Sequence, residues 1–300
     1  MIAFGCAVAE SEAYRRYAEP GIQRASEPDS EVFAFAAVGS TFRSYNLLVD
    51  AVADRDDLDA FVLVHPHCEI VEPHFCAKVR EALRDPGVAV VGCAGATGVE
   101  SIAWWEGSVV AAPIVQRYQE HGGGELPAFS WAHAAAPPAE VEVVDGFLLV
   151  LSPWAVRNVR FDETLGLGHG FEFDYCGQVR AAGRKVVAAD LRAVHYRSLE
   201  LISELDPWVD AHMRVAEKWD RSIPDDDPNS AAWKERARRA EAEREAARAI
   251  AYGYALGTDA RVLALERALE EVTETLSWRI TEPLRRVNHW GNERRSRAAD

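Results

Sequence analysis

The chain has 300 residues and a hydrophobic fraction of 48%, enough for one large domain with a core, or for one domain plus an extension. Its formal charge of −15 excludes a nucleic-acid partner, which needs a basic face, and allows a small anionic ligand only where a metal or a few arginines offset the charge locally. No apolar run approaches the ~20 residues that span a bilayer, and the N-terminal stretch is too short and too poor in basic residues to read as a signal peptide.

In chain order, residues 2–8 read as a first buried strand. A helix is expected to start at Ser11, with that serine as cap and acids in the first turn, and Pro20, Gly21 and Pro28 punctuate the stretch before the next strand. Residues 32–38 read as a second strand turned by Gly39-Ser40, and residues 44–52 carry Tyr45, Leu47, Leu48 and Val52 at helical spacing. The apolar run 61–64 is a buried strand that leads into His65-Pro66-His67-Cys68-Glu69. A helix over 73–83 is stopped by Asp85-Pro86-Gly87, and 88–93 is another strand. This βαβαβαβ order with continuous apolar strands predicts an α/β protein whose parallel sheet is covered on both faces.

Residues 95–140 are looser. The Trp104-Trp105 pair suits stacking on a base or sugar as well as a place in the core, and Gly122-Gly123-Gly124 reads as a loop because no strand, helix or GK[ST] frames it as a phosphate cradle. Residues 141–151 form a long apolar strand interrupted by Asp145-Gly146. That interruption is unfavourable for stability alone and points to a bulge or to close approach of a ligand. A short helix over 153–158 and a mobile glycine loop, 166–170, carrying His169 precede a helix over 175–182 closed by Gly183. Glu172 and Asp174 open that helix, where its dipole favours carboxylates. A strand over 185–189 and the segment ending in His195 and Tyr196 complete the body.

The tail differs in composition. Residues 207–222 form a helix with Trp208 and Trp219, and 222–228 is a linker. An Ala/Glu/Arg-rich helix runs over 231–250, and a second helix carries the stripe Val262, Leu265, Leu269, Val272 and Leu276. The stripe suits either a coiled-coil dimer or packing back on the body. Residues 277–290 are amphipathic, and Arg294, Arg295 and Arg297 extend a basic end suited to a membrane surface or to solvent. The expected division is a domain over 1–200, a helix and linker over 201–228, and a helical tail over 229–300. The five cysteines, Cys6, Cys68, Cys76, Cys93 and Cys176, are odd in number and form no CxxC pair, which suits reduced, buried thiols in a cytoplasmic protein.

Ligands of open α/β sheets sit beyond the carboxyl ends of strands, so the packet after residue 64 is the first candidate site. His67 and Glu69 alternate, so an extended backbone presents both on one side, as a divalent ion would need or as a simple polar strand end would show.

With Asp145-Gly146, the glycine loop, the acid pair and His195 following in order, the chain resembles the GT-A glycosyltransferases of the family-2-like group. The closer likeness is to the bacterial subgroup that includes streptomycin-biosynthesis and capsule-type glycosyltransferase-like proteins. It rests on Cys6-Ala7-Val8-Ala9-Glu10, Tyr45-Asn46, His65-Pro66-His67, Val144-Asp145-Gly146-Phe147, and Phe161-Asp162-Glu163 with His169 and the acid pair, across about residues 2–198. The run from Ser277 to Arg285 resembles a tail motif of cell-surface polysaccharide glycosyltransferases. His67 stands where the group has the first Asp of its metal motif, and the asparagine expected near the start is absent.

The resemblance implies a GT-A fold and a metal-dependent, inverting transfer of sugar from a nucleotide-diphosphate donor to a hydroxyl on a glycan, lipid-linked or small-molecule acceptor, in cell-surface polysaccharide or natural-product glycosylation. It implies Glu172, then Asp174, as base; His67, Glu69 and His195 as metal ligands; and Glu10, Tyr45, Asn46, Trp104, Trp105, Asp145, Gly146 and His169 around donor and acceptor. An imidazole in the metal motif favours Mn2+ over Mg2+. The implied location is cytoplasmic or at the inner face of the membrane, with the tail contacting membrane or a second copy. Two rival readings are a catalytically degenerate module that binds a sugar, a nucleotide or a partner, and a metal hydrolase built on His65, His67, Glu69 and His195.

Overall fold

Runs of β-branched and aromatic residues without polar interruption become the buried strands, and the turns between them carry glycine, proline and acids. The structure is a computed structural model that describes residues 1–113, 115–126, 135–166, 168–219 and 228–281, and for 228–231 and 279 the backbone alone. The expected linker over 222–228 lies outside the described residues except for Pro228, which opens the long tail helix, and the basic end with Arg285, Arg286, Trp290, Arg294, Arg295 and Arg297 lies outside them as well.

In chain order the described strands are β1 (Ile2–Val8), β2 (Glu31–Ala36), β3 (Ala60–Val64), β4 (Cys68–Ile70), β5 (Val88–Gly92), β6 (Ala94–Thr97) and β7 (Ser108–Ala111). They continue with β8 (Gln116–Tyr118), β9 (Gly124–Glu125), β10 (Ala139–Val141), β11 (Val143–Val144), β12 (Leu148–Leu151), β13 (Lys185–Ala188) and β14 (Ala193–Arg197). The central sheet has seven strands in the order β10-β13-β5-β12-β3-β1-β2. Neighbours β2, β1 and β3 are parallel, as are β5 and β13. Strand β12 runs antiparallel between β3 and β5, and β10 runs antiparallel on β13. The expected α/β class therefore holds, with a mostly parallel rather than purely parallel sheet.

Two departures shape the site. The expected single strand over 141–151 is three pieces, because the chain leaves the central sheet after β10, pairs β11 with β6, turns at Asp145-Gly146 and re-enters as β12. A buried aspartate and a glycine cannot hold a place inside an apolar ladder, so the chain bends there. Strand β4 also leaves the central sheet. His65-Pro66-His67 turns away from β3, and β4 pairs with β14 in a second sheet, β4-β14-β8-β9.

The helix after β1 runs over residues 11–25 without stopping at Pro20-Gly21. It passes through a π turn, Tyr14–Ala18, between Ser11–Ala13 and Glu19–Ala25, and its cap is Glu10, not Ser11. Gly21 is required for packing, since a Cβ there would lie 2.5 Å from the Ile70 backbone nitrogen. Ser40 caps the Thr41–Asp50 helix by accepting from the Arg43 N–H at 3.1 Å. The helix expected over 175–182 starts earlier, as Phe171–Ala181.

Strands β3, β5 and β12 are wholly buried. Edge strand β2 is not covered on both faces as expected, and Val32 and Phe35 stand exposed. All five cysteines are free and buried. The two expected tail helices are one, Pro228–Glu274, followed by the short Leu276–Ile280 helix. Gly253 does not break the long helix, because it is where the helix meets the body: a Cβ there would lie 2.5 Å from the Leu199 carbonyl oxygen. Glu245 ties the same face to the body by accepting from the Ser101 hydroxyl at 2.8 Å and lying 3.0 Å from His212 Nε2. Among the described residues no helix is long and apolar enough to cross a membrane.

Candidate active site

The carboxyl ends of β1 and β3, the turn that starts β12, and the first turn of the Phe171–Ala181 helix meet at one edge of the central sheet. Antiparallel β12 delivers its N-terminal turn to the edge where its parallel neighbours end. The His65 N–H donates to the Phe147 carbonyl at 3.0 Å and fixes β3 against that turn. Gly146 is needed there because a Cβ would collide with the Phe171 ring and lie 3.3 Å from Glu172 Cβ. The glycine thus lets Glu172 sit directly beside Asp145.

Asp145 accepts from the Gln116 amide at 3.3 Å and from the Phe147 N–H at 3.4 Å. Burial raises its pKa, opposed by the Arg197 charge and these hydrogen bonds. Burial pushes Glu172 up to about 8; backbone hydrogen bonding opposes the rise, the Asp145 charge adds to it, and Arg197 works against it. Arg197 donates to the Leu201 carbonyl at 3.1 Å, and burial lowers its pKa against the pull of Asp145 and Glu172. Three buried side-chain atoms at this edge have no hydrogen-bond partner among the described residues: Glu172 Oε2, Gln116 Oε1 and His195 Nδ1. Gln116 and His195 are register partners on β8 and β14, and His195 stacks on Phe147 with ring centroids 4.8 Å apart. Buried polar atoms are normally satisfied, so three orphans round one aspartate mark a place built for something polar.

Both inner histidines are neutral bases. Burial lowers His65 to about 3, with His67 and Arg197 adding to the effect, and lowers His195 well below its usual value, with His65 and Arg197 adding. His67 is more open, with its Nε2 3.3 Å from Glu10 Oε2 at the end of β1. His169 is half-buried in its glycine loop, where burial lowers its pKa and Glu204 opposes.

The expected metal set of His67, Glu69 and His195 does not form. Among the described residues no three His, Cys, Asp or Glu side chains converge to hold a metal ion. The period of a strand supplies the reason. His195 pairs with Cys68 across β14 and β4, while Glu69 pairs with Val194, so Glu69 and His195 lie on opposite faces of that small sheet. On its own face Glu69 accepts from the Tyr196 hydroxyl at 3.0 Å and from Arg24 at 3.3 Å, and Tyr196 stacks on Tyr17 at 4.1 Å. The three expected ligands therefore cannot hold one ion together, and no chemical step is routed through an ion.

Five other expected site residues are structural. Tyr45 is buried against Phe161 and Phe171. The Asn46 amide donates to the Phe161 carbonyl and to Glu163 and accepts from the Phe161 N–H, so both its ends are occupied. Trp104 and Trp105 are core, with Trp105 packed on Trp208, and offer no ring face to a sugar. Asp174 is buried and saturated: it accepts from Trp219 Nε1 at 2.8 Å, Lys218 at 2.6 Å and Gln178 at 2.8 Å. It is not a free base.

The structure thus brings together Asp145, Gly146, Glu172 and His195, with Glu10 and His67 at the end of β1. It adds Gln116 and Arg197, and it includes His65, which only the hydrolase reading had placed at a site. Arg197 was detectable, since it follows His195 by two positions on a strand and shares its face. Gln116 carried no signal, because nothing in residues 95–140 shows which short strand borders the site.

No protein-family model matches the chain. Over 235 residues the chain is 28% identical to the streptomycin biosynthesis protein StrF of Streptomyces griseus, an alignment covering 76% of each protein. Solved structures give more distant likenesses. They include A197 from STIV, at 13% identity and a TM-score of 0.42 over 66% of this chain and 86% of that one. GalNAc-T7 with UDP, GalNAc and Mn2+ is similar at 10% identity and a TM-score of 0.46, over 80% of this chain and 54% of that one. The mannosyltransferase PcManGT from Pyrobaculum calidifontis, in complex with GDP-Man and Mn2+, is similar at 13% identity and a TM-score of 0.42, over 93% and 81%. The StrF match agrees with the resemblance to the streptomycin-biosynthesis subgroup.

Proposed function

We propose that this protein is a glycosyltransferase that moves a sugar from a nucleotide-diphosphate donor to a hydroxyl acceptor with inversion, and that Glu172 is its base. The state of Glu172 carries this reading: a buried carboxyl with an unpartnered oxygen, a pKa of about 8, and a place at the strand-end edge where α/β ligands bind. A hydroxyl nucleophile needs a proton acceptor as it attacks, and a base with a pKa near the working pH does this best. In the step, the acceptor oxygen bonds to the anomeric carbon and its proton passes to Glu172, which accepts it in its ionised form. The bond from that carbon to the diphosphate oxygen breaks, and the nucleoside diphosphate leaves with the electron pair.

Asp145, held by Gln116 and the Phe147 N–H, orients the acceptor. Glu10 and His67 border the donor side, and His169 on its glycine loop closes over the bound donor. A divalent ion, Mn2+ before Mg2+, is expected from the resemblance alone, and it would supply charge neutralisation on the diphosphate when bound. Nucleotide-sugar chemistry and five unpaired buried thiols both suit the cytoplasm. One observation favours the second reading, a degenerate module that binds but does not transfer: Glu69 is already engaged by Tyr196 and Arg24.

Calorimetric titration of UDP, GDP and TDP with Mn2+, with Mg2+ and with chelator tests both readings, together with hydrolysis and transfer assays on sugars of the diphosphate that binds. Binding with turnover is the expected result. Binding without turnover on any acceptor moves the assignment to the module, and no binding under any condition removes both.

A further inference from the structure

The long Pro228–Glu274 helix has two apolar faces of different kinds. One is made of small residues and docks on the body: Ala242, Ala246, Ala249 and Ala260 are buried, Gly253 meets Leu199, and Arg267 lies beside Gly122. The other is made of large aliphatics. Val262, Leu265, Leu269 and Val272, with Leu276 just beyond, are 48–74% exposed. At 3.6 residues per turn, Leu269 lies about 180° round the helix from Ala260. The body occupies the Ala260 side, so it cannot cover the aliphatic side.

We propose that residues 262–274 form a parallel two-stranded coiled coil with the same segment of a second copy of this chain. Val262, Leu265, Leu269 and Val272 step by three, four and three, which places them at the a and d positions of successive heptads and makes the seam self-complementary. Ala260 and Arg267 then fall at the outermost position of the heptad, so each body hangs on the outside of the pair without obstructing it. Charge selects the orientation. Arg261 takes a position that, in a parallel pair, faces the position of Glu266 on the other copy, and symmetry makes this contact twice. The other flanking pairs are Tyr254 with Asp259 and Ala268 with Thr273, so no like charges meet. An antiparallel pair sets these flanking positions against their own kind, which leaves Arg261 without its acid. The seam is short, but a helix already held on the body has lost its ordering entropy before it associates.

Sedimentation velocity of the full chain across the micromolar range tests this without reference to activity. The expected result is a dimer that dissociates on dilution, while Leu265→Glu/Leu269→Glu sediments as a monomer with unchanged far-UV circular dichroism, since these side chains are exposed. Arg261→Glu should raise the dimer Kd about tenfold, and Arg261→Glu/Glu266→Arg should return it to within about threefold. Val262→Cys should give a disulfide-linked dimer on mild oxidation, because only a parallel pair brings the two copies of that position together. A wild-type chain that stays monomeric, or a dimer that survives Leu265→Glu/Leu269→Glu, overturns the proposal. A dimer that Val262→Cys cannot cross-link overturns the parallel arrangement.

Discussion

The pocket round Glu172 and the knot round Asp174 sit on one helix, two residues apart, and both bury acid. In the knot every acceptor is used: Trp219, Lys218 and Gln178 converge on Asp174, and Lys218 also holds Asp162 at 2.7 Å. In the pocket Glu172 has an oxygen with no partner among the described residues, beside a second acid and two further such atoms. Burial is common to both regions, and partner count separates them. A saturated buried carboxylate is a fastener, whereas an unsaturated one with a raised pKa is a reagent in waiting.

The sharpest way to break this contrast is to neutralise each acid in turn. Glu172→Gln should lower kcat by about 10²–10⁴-fold in the transfer assay and leave urea unfolding intact or improved at neutral pH. Asp174→Asn should do the reverse, with a loss of about 2–4 kcal/mol of stability and a near-normal kcat for the folded protein, because Lys218 and Trp219 lose the charge they converge on. If the two variants exchange these phenotypes, the assignment of base and fastener is inverted.

Gly146→Ala tests the geometry that joins Asp145 to Glu172. The new methyl meets the Phe171 ring, so the first turn of the helix must shift. An overpacking loss of about 1–3 kcal/mol and a fall in kcat/KM of about 10–100-fold are expected, with the kinetic loss persisting at temperatures where the variant is fully folded. A purely thermal effect would place Gly146 with the fasteners.

The last test reads the pH dependence of stability. Glu172 has its pKa raised from 4.5 to about 8, so between those values the native state holds a proton that the unfolded chain has released. Its contribution is therefore full below about pH 4.5 and is lost as pH rises through 8. Wild type and Glu172→Gln should diverge in thermal midpoint as pH goes from 5 to 8, with the glutamine variant gaining. Parallel curves would mean that the carboxyl is not buried as the structure has it.

Much of the fold was legible because it rests on local signals. Apolar runs gave β1, β3, β5 and β12, Gly183 closed the helix that Glu172 opens, and Asp145-Gly146 announced an interruption. The failures were of two kinds. Tyr45, Asn46, Trp104 and Trp105 were expected at the ligand by motif, but an aromatic or an amide reads the same in a string whether it faces a core or a cleft. The metal set failed because His67 and Glu69 do alternate, while His195 enters by another strand whose register fixes its face. The tail reads as two helices but forms one, because Gly253 looks like a breaker in sequence and acts as a docking point in space.

By itself the sequence determined the α/β class, the net acidity, the free thiols and the heptad stripe, since composition and periodicity follow from the order of residues alone, while the candidacy of Glu172 came from the family resemblance. Only the tertiary structure decided which acid is saturated and which is not, that Gln116 and Arg197 border the site, and that Glu69 and His195 are kept apart. Those facts depend on strand register and on contacts between residues distant in the chain, and no local pattern encodes them.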